Sequence, residues 1–139
     1  MVMPIQDSCV PMNDNVFAWR VPIPNEYAAP PYMKPCTNVS WSVVQHSPDG
    51  PEWGYPGSGP GDLALNILNA FFPPESDGYP AVKCHRGKCS RTAFTLHHEF
   101  KFQFIATLPP EGGTIPALTI KVWIEAHRHL VKADDKVAA

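Results

Sequence analysis

The chain has 139 residues with eleven basic and thirteen acidic side chains, for a net charge of −2. That length suits one domain around one core, and the near-neutral charge offers no general attraction for a phosphate backbone or an anionic membrane, so nucleic acid and lipid are not expected partners. With 44% hydrophobic and 17% charged residues it is not a charge-rich disordered chain, although its seventeen prolines, more than twice the share expected from average usage of about 5%, predict much irregular backbone.

Residues 1–35 carry prolines at 4, 11, 22, 24, 30, 31 and 35, which deny backbone donors and predict an arm without long helices or central strands. Its start, Met1-Val2-Met3-Pro4-Ile5, has neither the basic nor the continuous apolar region of an export signal, so the expected compartment is the cytoplasm. Within the arm Val16 to Val21 reads as a short edge strand ended by Pro22.

From Thr37 to His46, Val39, Trp41 and Val43 alternate with Ser40 and Ser42, the period of a strand with one face buried. Pro48-Asp49-Gly50-Pro51 is a turn signal, and Glu52 to Tyr55 would return as the second strand of a hairpin. A glycine-rich turn, Gly54 to Gly61, then feeds a helix over Asp62 to Phe72. Leu63, Ile67, Leu68 and Phe71 recur there at helical spacing, and Pro73-Pro74 ends the run. That apolar run falls far short of the roughly 20 residues of a membrane span. Asn66 and Asn69 lie opposite its stripe and are expected in solvent.

Residues 73–92 form a long connection. Beyond it, Phe100, Phe102 and Phe104 alternate as in a strand while Leu96, Phe100, Phe104 and Leu108 fall at every fourth position as in a helix, so 95–107 is undecided by pattern. The stretch 117–130 shows the same conflict, with β-branched residues first and helix formers after. Residues 133–139 read as a disordered tail, leaving 36–132 as the domain.

The run Trp53-Gly54-Tyr55-Pro56-Gly57-Ser58-Gly59-Pro60-Gly61-Asp62-Leu63-Ala64-Leu65-Asn66-Ile67-Leu68 resembles a family of small uncharacterised proteins of phages, prophages and plasmids, whose core reads W-G-Y-x-G-S-G-P-x-x-L-A-L-x-I-L. Phe100-Lys101, Phe104-Ile105-Ala106, Leu108-Pro109, Ile120 and Trp123-Ile124 look like its downstream segment, so the resemblance spans about Val39 to Ile124. It implies helices over 95–107 and 117–130, and hence an α+β fold: a small antiparallel hairpin sheet packed by about three helices, with the proline-rich N-terminal arm. The family brings no catalytic residue, and the arm and the cysteine-bearing connection depart from its pattern.

Three features invite a chemical reading. Gly57, Ser58 and Gly59 before a helix offer backbone N–H groups to a phosphate or carboxylate, with Trp53 and Tyr55 placed to stack on a base and Arg86 and Arg91 to supply counter-charge. Against this, no Gly-Lys-Ser or Gly-Lys-Thr follows and Asp62 stands near the donors, so the turn also reads as a tight connection capped by Ser58. Cys84, His85 and Cys89 gather three soft ligands that Cys36, His97 or His98 could complete into a structural zinc site, the alternatives being free thiols or a local disulfide. His97-His98-Glu99 has the wrong order for a metalloprotease helix.

No nucleophile, base and orienting group can be assembled from spacing, so the expectation is binding and not catalysis. The first reading is a phage or mobile-element accessory protein that counters a host defence through a host protein partner. The second is sequestration of a nucleotide or other phosphate-bearing signal at the glycine turn. Exchange of arms between protomers is one route to a homo-oligomer.

Overall fold

The computed structural model describes residues 12–24, 26, 30–47 and 49–132. Its centre is the apolar run after the glycine turn, which forms helix α1 (Ser58–Phe71). This helix starts four residues before Asp62, so Gly59, Pro60 and Gly61 belong to its first turn, where a proline removes a donor that has no intrahelical partner anyway. Gly57 is the N-cap and no side chain caps the helix, so Ser58 does not have the capping role expected of it.

Every residue from Gly59 to Asn69 is buried, which makes α1 the axis of the core and not an amphipathic surface helix. Asn66 and Asn69, expected in solvent, are therefore interior. Asn66 accepts from the N–H groups of Ser42 (2.8 Å) and Val43 (3.0 Å) and donates to the carbonyls of Val43 and Asp62, both at 2.9 Å. Asn69 accepts from Ser90 N–H at 2.9 Å. Those partners are at least 21 positions away except for Asp62, so a helical wheel could not reveal them.

A three-stranded antiparallel sheet has the order β2–β1–β5, from β1 (Val16–Ile23), β2 (Tyr32–Thr37) and β5 (Gly113–Ile115). The segment read as a proline-rich arm thus supplies β1 and most of β2. The strand expected at the sheet edge is its central member. Because β5 pairs with Val16–Ala18 alone, β1 has a single ladder from Trp19 onward, and Pro22 falls in that one-sided part.

The hairpin expected from residues 37–55 does not form. Val39 and Val43 are buried and Ser40 and Ser42 exposed, so the alternation is real, but its apolar members join the core without pairing in a sheet. The Asn66 amide takes the backbone groups of Ser42 and Val43 that a neighbouring strand would have taken, and Val44 makes one isolated bridge to Arg86.

The connection after α1 is ordered. It contains a 3-10 turn (Pro74–Ser76) and a two-stranded ribbon of β3 (Val82–Lys83) and β4 (Lys88–Cys89). Helix α2 (Arg91–Phe100) follows, its first turn capped twice: Ser90 Oγ accepts from Ala93 N–H at 2.9 Å, and the buried Asp77 carboxylate accepts from Arg91 N–H and Thr92 Oγ at 2.6 Å each. It continues as a π-helical turn, Lys101–Ile105, and α3 (Ala117–His127) comes later with a 3-10 end. Both stretches left undecided by pattern are therefore helical. Phe100, Phe104 and Trp123 stack edge to face where α2, its π turn and α3 meet. The architecture is α+β, a small antiparallel sheet with three helices, and among the described residues no helix is long and apolar enough to cross a membrane.

Candidate functional site

The glycine turn is built by close approach. A Cβ on Gly57 would lie 2.3 Å from the Tyr55 ring, and one on Gly59 would lie 2.9 Å from Glu52 Cβ. A hollow of about 510 Å³ opens in front of it, lined by Tyr55, Ser58 and Gly59 but also by Asp49 and Glu52. Trp53 does not face that space. It is 1% exposed, donates from Nε1 to the Pro110 carbonyl at 3.1 Å, and carries the Arg20 guanidinium 4.3 Å above its ring. Arg20 in turn grips Glu52 with both terminal nitrogens, at 3.0 and 3.4 Å.

Arg86 and Arg91 do not line the hollow. Arg86 is exposed on the β3–β4 turn, where its backbone pairs with Val44, and Arg91 opens α2. The Asp62 carboxylate is also turned away: fully buried, it accepts from the N–H groups of Gln45, His46 and Ser47 at 2.9 to 3.2 Å. The chain does contain a run of inward-pointing amides able to hold an anion, and its own carboxylate fills it.

Cys84 and Cys89 come together at the ends of β3 and β4, with their sulfurs 3.4 Å apart. A hydrogen bond from Cys89 holds the Cys84 thiol below its ordinary range, while that bond and burial push Cys89 up. His85 is exposed on the turn, and its backbone N–H donates to Gln45 Oε1. Cys36 lies apart, on β2. Among the described residues, the group whose ligand atoms lie within metal-binding range of one another is His46, His97 and His98, a set the sequence reading did not assemble because His46 is 51 positions from His97.

One departure from an ordinary surface is on the sheet. The run Val-Phe-Ala-Trp-Arg-Val-Pro-Ile of β1 is apolar at both parities apart from Arg20, close to the composition of a strand covered on two sides. One side holds Val16 and Ala18 in the core. On the other, Phe17 (44% exposed), Trp19 (43%), Val21 (36%) and Ile23 (40%) stand in a row. Register places Tyr32 beside Ile23, Lys34 beside Val21 and Cys36 beside Trp19, so one face of the sheet presents aromatic and aliphatic side chains with a single ammonium among them. Soluble monomers rarely leave such a contiguous patch bare.

Residues 25–78 match the model of a family of unknown function (DUF6166). The matched stretch includes β2, the glycine turn and α1, and so covers the Trp53–Leu68 run that carries the sequence resemblance. Neither the curated proteins nor the solved structures give a match.

Proposed function

We propose that this is an accessory protein that works by binding another protein, and that the outer face of β1 and β2 is where the partner docks. The observation that carries the reading is the exposed row Phe17, Trp19, Val21 and Ile23 on a strand whose composition calls for cover on both sides. Tryptophan and tyrosine, here Trp19 within the row and Tyr32 at its end, are residue types that dominate binding energy at interfaces. Lys34 gives the face one positive group, so the fitting partner offers a flat apolar surface with a carboxylate opposite it. A two-fold pairing of the face with itself, about an axis running across the strands through Val21, would bring two Lys34 ammonium groups together, which disfavours that pairing with a second copy.

The phage or mobile-element setting, with a host defence protein as the partner and the host cytoplasm as the compartment, rests on the sequence resemblance. Sequestration of a phosphate-bearing signal has less support, because Asp49 and Glu52 face the hollow an anion would enter.

The test compares the intact chain with its Trp19→Glu/Val21→Glu variant, both exposed positions, in retention from cell lysate, with circular dichroism to confirm the fold. A protein retained by the parent and lost by the folded variant supports the reading, and equal retention contradicts it. A parent that is dimeric beside a monomeric variant would assign the face to a second copy and overturn the unlike-partner reading.

A further inference from the structure

Three imidazoles from two distant parts of the chain meet beside the first turn of α1. His97 and His98 belong to α2, and His46 enters from the loop that Asp62 holds. His46 Nε2 and His97 Nε2 are 3.1 Å apart, and one nitrogen from each of the three rings lies within 4.8 Å of the others. The geometry points to a binding site for a divalent transition-metal ion that favours imidazole, zinc foremost, with His46, His97 and His98 as ligands and a remaining position open to solvent.

The spacing of the His46 and His97 nitrogens is that of ligands. A tetrahedral ion with bonds of about 2.0–2.1 Å to nitrogen sets its ligand atoms about 3.3 Å apart, close to the separation of the first two rings. His98 is exposed, and its nitrogen lies within 4.8 Å of the other two. The same 3.1 Å contact without an ion is an N–H···N hydrogen bond, so distance alone is not the whole case.

One of the rings, that of His97, is already oriented from behind, as ligating imidazoles are, and the backbone that carries His46 is held in place. His97 Nδ1 lies 2.7 Å from the Phe94 carbonyl, which makes Nδ1 the protonated nitrogen and leaves the Nε2 lone pair directed at His46. The His46 backbone N–H donates to the Asp62 carboxylate at 2.9 Å, and the N–H groups of Gln45 and Ser47 on either side do the same. The loop therefore presents its ring from a fixed backbone. Gly61 leaves space for that ring, since a Cβ there would sit 3.3 Å from His46 Cδ2.

Burial suits an accessible site. His97 is 1% exposed while His46 and His98 face solvent, so an ion has a route in and a water has a place to complete the shell. Lys101 lies beside the cluster, and its ammonium is drawn over the Phe102 ring, 4.6 Å from the centroid. Its charge opposes a cation and would favour an anion, which gives the test its second arm.

The experiment is a titration of the intact protein with zinc chloride, followed by calorimetry, and with cobalt chloride, followed by visible absorption. One ion per chain is expected. His46→Gln and His98→Gln, at exposed positions, should each weaken binding by at least ~10-fold with circular dichroism unchanged. Lys101→Gln should leave zinc affinity equal or higher. Absence of binding above buffer controls, binding that survives in the double histidine variant, or a thiolate-to-cobalt band placing the ion on Cys84 and Cys89 would each overturn the assignment. So would uptake of inorganic phosphate that Lys101→Gln abolishes, which would make the cluster an anion site.

Discussion

Two interior side chains, Asn66 and Asp62, do for the 42–47 loop what a neighbouring strand would do for an extended segment. Both hydrogen-bond positions of the Asn66 amide are filled from residues 42, 43 and 62, so removing it orphans buried backbone groups. Asn66→Ala is expected to lower stability by about 2–4 kcal/mol, measured by urea unfolding, whereas a surface asparagine would cost a few tenths. His97 makes a second prediction at this scale, for protein kept in chelator. Burial, reinforced by the nearby charges of His98, His46 and Lys101, lowers its pKa from 6.5 to about 4. The unfolded chain therefore takes up a proton below pH 6.5 that the folded chain refuses until about pH 4. Stability from this group is fully present above pH 6.5, declines as pH falls through that window, and loses on the order of 3 kcal/mol across it. His97→Gln, if folded, should flatten that part of the curve of unfolding midpoint against pH.

The elements divide into those set by local pattern and those set by distant partners. Helix α1 is legible because Leu63, Ile67, Leu68 and Phe71 recur at helical spacing and prolines stop the run, yet its burial on every side is not, because the amide partners of Asn66 and Asn69 come from elsewhere in the chain. The alternation at Val39, Trp41 and Val43 reports burial in the core of an irregular segment as faithfully as it would report a sheet, which is why it misleads about the hairpin. For 95–107 the strand and helix periods are superposed in Leu96, Phe100, Phe102 and Phe104. The end of α2 and the π turn accommodate both, burying Phe100, leaving Phe102 outside, and setting Phe104 edge-on to Trp123. Two substitutions probe the elements. Asp77→Ala removes a carboxylate from the first turn of α2 and is expected to cost about 1–2 kcal/mol, with faster hydrogen exchange at Arg91 and Thr92. Gly59→Ala meets Glu52 Cβ, a stem that cannot swing aside, and is expected to cost about 1–3 kcal/mol by thermal unfolding whether or not phosphate compounds are present. Stabilisation of the parent chain alone by such a compound would instead show that the glycines serve a ligand.

At the scale of the whole molecule, the described residues cover α1 with helices and loops but cover the sheet on one side. The signal for the other side was present in the run from Val16 to Ile23, where apolar residues occupy both parities, but reading that run as an edge strand in an arm concealed its meaning. The histidine cluster was hidden differently: His97 and His98 are adjacent in sequence, and nothing local announces that a loop held by Asp62 brings His46 to them. The two features are independent, so the sheet-face variants should leave zinc binding unchanged. The measurement that bears most directly on the central reading is hydroxyl-radical footprinting of the intact chain, free and in cell lysate, with exposed Tyr55 as the internal reference. The account predicts that Phe17, Trp19 and Tyr32 are oxidised readily in the free protein and protected in lysate while Tyr55 is unchanged. Equal oxidation of the sheet face in both, or protection falling on Tyr55 and not on Trp19, would contradict it.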